Sequence, residues 1–420
     1  MKRNEGKRPV EIQGLEARRA ALRLLDAVLR RGETLDQAAG AATGGLLTSS
    51  DSALARAIAS EVLRWLPDLD ALIDSATRLR LADDAKARTV LRMMLAQWLR
   101  LDTPPHAVVA TGLALLTGGP RRLAHGVFGA LVRGEAALPS IPTLPESVAE
   151  RWGDRATAIA AGLAAPPPLD LELQDPAGTG AWVERLGGES LALGHVRLPR
   201  GTAVTDISGF AEGGWWVQDF AASLPARLLG PGEGRRVLDL CAAPGGKTLQ
   251  LAAAGWQVTA LDVSKRRLER LRENLSRTGL DAEVIVADAL TWQPEAPFDA
   301  ILLDAPCTAT GTARRHPDVL HRIGERQIAE MAELQAKLLE RASGWLKPGG
   351  RLIYATCSLE REEGEERLPV EGVELDPIRG EELPGGLVPS PEGWLRTDPG
   401  MLLDKGGLDG FFIARLINKG

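Results

Sequence analysis

The sequence has few residues that could build a disulfide framework or a metal site. Its 420 residues include three cysteines, Cys241, Cys307 and Cys357, and no two of them have CxxC spacing. An odd, low cysteine count without a secretion signal favours a reducing compartment. Histidines are not clustered, so zinc-type ligand spacing is missing as well. We therefore expect a cytoplasmic protein that holds no metal.

Long apolar segments are also missing. Residues 1–14 are charged and polar and contain no apolar region typical of a secretory signal. Prolines and glycines interrupt the longest uncharged stretch, Thr103–Pro120, and leave about ten apolar residues, too few to span a bilayer. At 44% hydrophobic and 25% charged, the composition is typical of a globular protein. We expect no membrane partner and a monomer.

Charge is distributed unevenly along the chain. Residues 1–140 contain 20 Lys or Arg against 15 Asp or Glu, whereas the remainder contains 30 against 41. A basic segment therefore precedes an acidic one, although the net charge is −6. A basic module joined to an acidic one fits local electrostatic capture of a polyanion. Ordinary scatter of surface charge is the alternative.

Residues 1–140 predict an all-α domain. Apolar residues recur at helical spacing, for example at Leu54, Ile58, Val62 and Trp65, and β-branched residues are sparse. Residues 141–230 predict a linker and a small α+β connector. The connector is expected to contain a helix around 147–162 and a strand near Leu169, where leucine alternates with acidic residues.

Residues 231–420 predict a separate α/β domain. Helical patterns, such as Lys265–Thr278 and Glu325–Leu346, separate short, continuous apolar runs. Those runs are Val237–Leu240, Val258–Leu261, Val284–Val286, Ala300–Leu303, Leu352–Ala355 and Phe411–Leu416. This alternation predicts a Rossmann-like domain with a mixed, mainly parallel sheet covered on both faces.

The first of these strands leads into a loop of small residues, Cys241-Ala242-Ala243-Pro244-Gly245-Gly246-Lys247. Small residues let backbone N–H groups approach a ligand, and the helix that follows favours negative charge. A Walker A loop needs glycine at the position of Cys241, and the GxGxxG fingerprint is missing. A site for S-adenosylmethionine (SAM) is the nucleotide site that remains.

Four successive strands end in or near an aspartate: Asp239, Asp262, Asp288 and Asp304. Ligands bind at the carboxyl ends of parallel strands in open α/β sheets. Asp262 suits the ribose hydroxyls of SAM, and Asp288 is placed to reach its adenine. One such acid alone is usually a loop or cap residue, but four together favour a ligand site.

Two cysteines also follow strand ends, Cys307 after Asp304 and Cys357 after Ala355. A lone cysteine is usually a small core residue. Two of them opposite a SAM loop favour covalent chemistry. Carbon 5 of cytosine is a poor nucleophile, but a thiolate that adds to carbon 6 makes it reactive enough to attack the SAM methyl group.

Four segments carry a resemblance to a known family. Asp239–Thr248, Asp304–Asp318, Ala355–Ser358 and Asp409–Arg415 resemble the RNA cytosine-5 methyltransferases of the Fmu/Sun (RsmB) type. The helical region is similar to the NusB-type RNA-binding domain that precedes the catalytic domain in that subfamily. The resemblance implies SAM as cofactor, a SAM-methyltransferase fold and methylation of cytosine carbon 5 in 16S ribosomal RNA.

The resemblance also implies roles for matching residues. Cys357 would be the nucleophile, Cys307 would help release the product, and Asp304 would contact the polar edge of cytosine. Lys247 would serve the cofactor or the RNA backbone. Cys241 would be structural, with only its own backbone near SAM. The residues that would hold SAM are Cys241, Ala242, Ala243, Pro244, Gly245, Gly246, Lys247, Asp262, Asp288 and Asp304. Those that would line the RNA path are Arg314, Arg315 and His316, with a role in a turn equally expected for His316.

Several rival functions can be compared with the same residues. A DNA cytosine-5 methyltransferase needs a Glu-Asn-Val motif, and Glu273-Asn274 is followed by leucine on a predicted helix. An adenine-methylating enzyme needs an Asp/Asn-Pro-Pro-Tyr/Phe motif, which Asp304–Cys307 does not supply. A transfer RNA cytosine-5 methyltransferase stays open, as does a non-enzymatic RNA-binding or antitermination factor. The factor would leave the SAM loop and both cysteines unexplained.

Overall fold

The computed structural model describes residues 12–46, 48–201 and 203–420, which form two compact units. The first unit contains the described residues up to Ala149 together with His316–Arg322. The second contains Glu150–Arg315 and Ile323–Gly420.

The first unit is helical, as the spacing of its apolar residues predicts. Its first seven helices are α1 Leu15–Arg31, α2 Leu35–Thr43, α3 Ser49–Arg64, α4 Leu66–Ser75, α5 Lys86–Arg100, α6 Pro105–Leu113 and α7 Gly118–Arg133. Residues of α5 from Ala87 to Gln97 are all buried, so this helix is the centre of the bundle. Its arginines Arg88 and Arg92 are buried too, and both donate to the carboxylate of Asp70.

The second unit begins with short helices and a small antiparallel sheet. These elements are α8 Glu146–Trp152, which contains the boundary between the units, α9 Ala156–Leu163, β1 Leu169–Leu173, α10 Thr179–Leu186, β2 His195–Leu198 and β3 Trp215–Val217. The strand order is β2-β1-β3. Two helices replace the single helix predicted around 147–162, because the chain turns at Gly153, whose φ is +51°.

The larger sheet and the helices around it form the rest of this unit. Its elements are α11 Phe220–Arg227, β4 Arg236–Leu240, α12 Gly246–Ala253, β5 Gln257–Asp262, α13 Lys265–Thr278, β6 Glu283–Val286, β7 Phe298–Asp304, α14 Val319–Arg322 (part of the first unit), α15 Glu325–Ser343, β8 Leu346–Thr356, β9 Glu374–Leu375, β10 Leu395–Thr397 and β11 Phe411–Ile417. Strands follow the order β10-β11-β8-β7-β4-β5-β6, with β9 paired to β11.

Strand direction confirms the predicted fold class. β4 to β8 pair in parallel, whereas β9, β10 and β11 pair antiparallel. Alternate residues of the central strands are buried on opposite faces: Leu302 packs with Leu224 of α11, and Leu303 packs with Leu338 of α15. Burial on both faces explains why these strands are continuously apolar in the sequence. The carboxyl ends of the parallel strands therefore share one edge of the sheet.

Candidate active site

The loop Cys241–Lys247 crosses from β4 to α12 along the carboxyl edge of the sheet. Cys241 and Gly245 both have left-handed backbone, with φ of +61° and +110°. The N–H of Ala242 donates to the Leu261 carbonyl at 3.1 Å, and that of Ala243 donates to Asp262 Oδ2 at 3.2 Å. These two bonds fix the loop against the end of β5.

The geometry of this loop fits the methionine part of SAM. The residue that caps α12 is Gly245, which has no side chain to occupy the first N–H groups of the helix, so they can bind a carboxylate. A Cβ added to Gly246 would lie 3.2 Å from Gln218 Cδ, a close contact that glycine avoids. Among the described residues, the buried oxygen Oδ1 of Asp239 has no hydrogen-bond partner and can accept from an ammonium group.

The acids at the ends of β5 and near the end of β6 differ in exposure. Asp262 is 2% exposed, and its Oδ1 accepts from the N–H of Ser264 at 2.8 Å. Asp288 is exposed and accepts from the N–H of Leu290 at 2.9 Å. Val263, which follows Asp262 directly, presents an exposed apolar side chain. The pair thus offers carboxylate oxygens beside an apolar surface, which suits a nucleoside.

The two cysteines predicted to act together are in contact. Asp304 of β7 pairs with Ala355 of β8, so the loops after both strands begin side by side. The sulfur atoms of Cys307 and Cys357 are 3.4 Å apart. The hydrogen bond to Cys357 and the burial of the site raise the pKa of Cys307 well above its ordinary value. Cys307 therefore keeps its proton and can donate to the sulfur of Cys357.

Lys247 links the cofactor loop to Asp304. Its Nζ lies 2.7 Å from Asp304 Oδ2 and 5.3 Å from the centre of the Phe411 ring. Phe411 belongs to the DGFFIAR segment, so three motifs that are distant in sequence meet at one amine. An ammonium between a carboxylate and a ring face is held in place from both sides.

The three residues predicted to line the RNA path lie in different surroundings. Arg314 is 2% exposed and donates to the carbonyl of Gly406. Arg315 keeps part of its side chain exposed, and its Nε donates to Asp409 Oδ2 at 2.9 Å. His316 belongs to the first unit, where its carbonyl accepts from the N–H of Val319 at the start of α14. Exposure therefore favours Arg315 and His316, whose side chains are 40% and 33% exposed, over Arg314 for contact with RNA.

Comparison with known proteins agrees with this geometry. Residues 226–417 match the family described as 16S rRNA methyltransferase RsmB/F, and residues 15–117 match the NusB family. The ribosomal RNA small subunit methyltransferase B of Xanthomonas campestris pv. campestris is 36% identical over 84% of this chain and 87% of its own length. The protein of the same description from Pseudomonas putida is 35% identical over 96% of this chain and 98% of its own length.

The chain belongs to the ribosomal RNA small subunit methyltransferase B family. Among solved structures, a methyltransferase homolog protein from Pyrococcus horikoshii is 29% identical, with a TM-score of 0.55 over 69% of this chain and 98% of that chain. Family membership confirms the predicted SAM-dependent RNA methyltransferase with a NusB-like N-terminal region. A non-enzymatic binding factor is not favoured.

Membership does not assign individual residues, so the site residues remain predictions. In the described ranges, no group of three or more His, Cys, Asp or Glu side chains is arranged to hold a metal. No helix within those ranges has both the length and the apolar character required to cross a membrane.

Sequence reasoning missed Glu363, although this residue lies at the centre of the site. It sits in the run Glu360–Arg367, where charged residues predict an exposed segment. The structure instead buries Glu363 completely between the loops that follow β7 and β8. The one signal in the sequence is that Glu363 lies only six residues after Cys357.

Gly245→Ala is expected to lower SAM affinity about tenfold or more. Left-handed backbone costs an L-residue about 1–2 kcal/mol, and the new Cβ would lie 2.3 Å from Leu271 Cδ1. The loop must then shift at the point where backbone N–H groups meet the ligand. Calorimetric titration with SAM measures the change.

Gly234→Ala is the matched control, because Gly234 has φ +78° and an added Cβ there would meet nothing within 4 Å. It shares the backbone penalty but lies before β4, away from the loop. Equal losses of SAM affinity in both variants would show that the Gly245 effect is only a general loss of stability.

Proposed function

We propose that this protein methylates carbon 5 of a cytosine in 16S ribosomal RNA, with Cys357 as nucleophile. The observation that carries the proposal is the 3.4 Å contact between the sulfur atoms of Cys307 and Cys357 at the carboxyl ends of adjacent strands. A pair of thiols in contact beside a nucleotide loop is suited to nucleophilic catalysis. The substrate is supported by the family description and by the names of the two bacterial relatives.

Methylation proceeds through a covalent bond between Cys357 and the cytosine. The Cys357 thiolate forms a bond to carbon 6, and the electron pair of the C5–C6 double bond becomes available at carbon 5. SAM held by Cys241–Lys247, Asp262 and Asp288 would supply an electrophilic methyl group to carbon 5, and the electron pair of the broken S–CH3 bond would stay on the sulfur of SAM. A base then removes the carbon 5 proton, the double bond re-forms, and the Cys357 sulfur leaves with the C6–S pair.

Cys307 is assigned to the release step. Its sulfur lies next to the sulfur that must leave, and its raised pKa keeps it protonated. An S–H group can donate a hydrogen bond to the negative charge that develops on Cys357 as the C6–S bond breaks. Removing this donor therefore slows release more than attack.

Asp304 and Lys247 are assigned to binding and orienting the cytosine ring. The Asp304 side chain is partly exposed at the pocket, two positions before the Pro-Cys sequence, and can contact the polar edge of cytosine. Lys247 holds that carboxylate at 2.7 Å and so fixes its orientation. Cys241–Lys247, with Asp262 and Asp288, would hold SAM. For carbon 6 to meet Cys357 from the ring face, the cytosine must be unpaired or flipped out of its helix.

We assign RNA capture to residues 1–140, a connecting role to residues 141–230 and methyl transfer to residues 231–420. The excess of basic residues in the first segment and its match to the NusB family support this division. Within the second unit, Arg315 is assigned to RNA contact, because its side chain is partly exposed. We further propose a cytoplasmic monomer that works without metal.

Methyl transfer from radiolabelled SAM tests the substrate. Unmodified 16S ribosomal RNA and bulk unmodified transfer RNA are compared side by side, and bisulfite sequencing maps the product. We expect one 5-methylcytosine in the 16S RNA and no label in transfer RNA. Label confined to transfer RNA would overturn the substrate but keep the mechanism. The small ribosomal subunit, assayed in parallel, distinguishes a particle substrate from a wrong reaction class if naked RNA stays unlabelled.

A further inference from the structure

The buried carboxylate of Glu363 joins the two cysteine loops. Its Oε1 accepts from the backbone N–H of Thr308 at 2.9 Å, and Thr308 follows Cys307 directly. Its Oε2 accepts from the hydroxyl of Ser358 at 2.5 Å, and Ser358 follows Cys357 directly. The Thr308 hydroxyl donates to the same Oε2. One side chain therefore binds the residue after each cysteine.

Other contacts hold Glu363 itself in place. Gln335 of α15 donates to Oε1 at 3.0 Å and also to the carbonyl of Pro306 at 2.8 Å. The Glu363 carbonyl accepts from the hydroxyls of Tyr354 at 2.8 Å and Thr356 at 3.0 Å. Tyr354 and Thr356 are on β8, so the backbone of Glu363 is anchored to the strand that precedes Cys357.

The chemistry of this site is unusual for a purely structural acid. Glu363 is fully buried, and the described residues give it four hydrogen bonds but no ion pair. Burying a carboxylate in such a position is unfavourable unless hydrogen bonds compensate for the lost hydration. Burial raises the pKa of Glu363. An apolar residue would fill the space with less penalty but could not connect two loops.

We propose that Glu363 is a positioning residue that keeps the sulfur atoms of Cys307 and Cys357 in contact by binding the residue after each of them. This rests on the roles given to the two cysteines above. Loss of the carboxylate lets the loops separate, and a displacement of about 1 Å in a reacting group can cost about 10²-fold in rate. Glu363 touches neither RNA nor SAM in this scheme.

The proximity of the thiols can be measured without substrate or cofactor. Diamide oxidises two adjacent thiols to a disulfide and is itself reduced to a hydrazine, and peptide mapping by mass spectrometry quantifies the Cys307–Cys357 product. We expect Glu363→Gln to form this disulfide about tenfold more slowly than the wild type. Glu363→Asp should be slow as well, because its carboxylate is about 1.5 Å shorter in reach and cannot bind both loops.

The same variants are then assayed for methyl transfer. We expect kcat to fall about 10- to 100-fold for both, with KM for RNA and affinity for SAM changed less than about threefold, because neither ligand meets Glu363. Glu362→Gln, an exposed acid in the same short turn, is the matched control and should match the wild type in every measurement. Circular dichroism and SAM titration verify the fold of each variant.

The outcomes separate this proposal from the proposed function. Folded Glu363 variants that form the disulfide at the wild-type rate would overturn the positioning role, whatever their activity. If Glu363→Asp forms the disulfide at the wild-type rate while Glu363→Gln is slow, the negative charge matters but the bridge between the two loops does not. This result would also overturn the positioning role. If disulfide formation slows as expected but Cys357→Ala still methylates RNA, the positioning role stands and the cysteine assignment fails.

Discussion

Cys307→Ala is expected to accumulate a protein–RNA adduct that survives denaturing electrophoresis. The variant keeps Cys357, so attack on carbon 6 and methyl transfer can proceed. It lacks the S–H donor that lies 3.4 Å from the departing sulfur, so the C6–S bond breaks slowly. Turnover should fall by a factor on the order of 10² or more. The adduct is measured as a SAM-dependent band that contains labelled RNA and disappears after nuclease treatment.

Cys357→Ala provides the reciprocal result. Without the nucleophile we expect no adduct and a loss of methyl transfer by a factor on the order of 10⁴ or more, in the range seen when a covalent nucleophile is removed. Cys241→Ala is the control for loss of a cysteine, since only the backbone of Cys241 is assigned to SAM and burial raises the pKa of its thiol to about 12; SAM titration verifies that this variant still binds SAM. An inactive Cys307→Ala without adduct, together with adduct in Cys357→Ala, would reverse the two assignments.

The sequence predicts which residues lie at the site, because the ends of strands can be recognised in it. Asp304 and Cys357 each follow a continuous apolar run, and such runs end at one edge of a parallel sheet. The contact between Cys307 and Cys357 depended on β7 and β8 being neighbours, a matter of sheet order that no local pattern encodes. Strand pairing supplies it: Asp304 lies beside Ala355.

The burial of acidic residues could not be predicted from the sequence pattern. Leucine alternates with Asp170 and Glu172 along β1, which predicts a strand with one exposed face. Both acids are in fact buried, because Arg197 and Arg227 each bind one of them at 2.7 Å. Glu363 escaped notice for the same reason, since hydropathy describes a residue alone whereas burial of an acid depends on partners distant in sequence.

Short strands limit the prediction in a different way. β10 has three residues and β9 has two, too few to show periodicity, and both are recognisable only through their pairing with β11. These antiparallel strands lie on the β8 side of the sheet, so β11 pairs with the strand that delivers Cys357. They also bring Phe411 to Lys247. The residues that carry the chemistry were therefore predictable, but the short antiparallel strands β9 and β10 were not.

Asp304→Ala is expected to lower kcat/KM by about 10²- to 10³-fold, which is the range for removing one polar group that acts on the reacting molecule. Asp304 ends β7, and its carboxylate is held at 2.7 Å by Lys247. The variant loses the contact proposed for the polar edge of cytosine and leaves Lys247 without this partner. Asp304 also belongs to the expected SAM site, but SAM binding should change less than about fivefold, because the loop that would hold most of SAM is fixed through Asp262 and Leu261. Single-turnover methyl transfer and SAM titration measure the two effects separately.

Asp299→Asn is the matched control, because Asp299 lies near the opposite end of β7 and pairs with Lys347 at 2.8 Å. It removes an acid from the same strand but not from the pocket, so its rate should stay within about twofold of the wild type. Lys247→Met completes the set: it keeps the Asp304 carboxylate but not its orientation, and should lose less activity than Asp304→Ala. If Asp304→Ala instead keeps its rate and loses SAM, the carboxylate holds the cofactor, and the contact with cytosine must come from another residue.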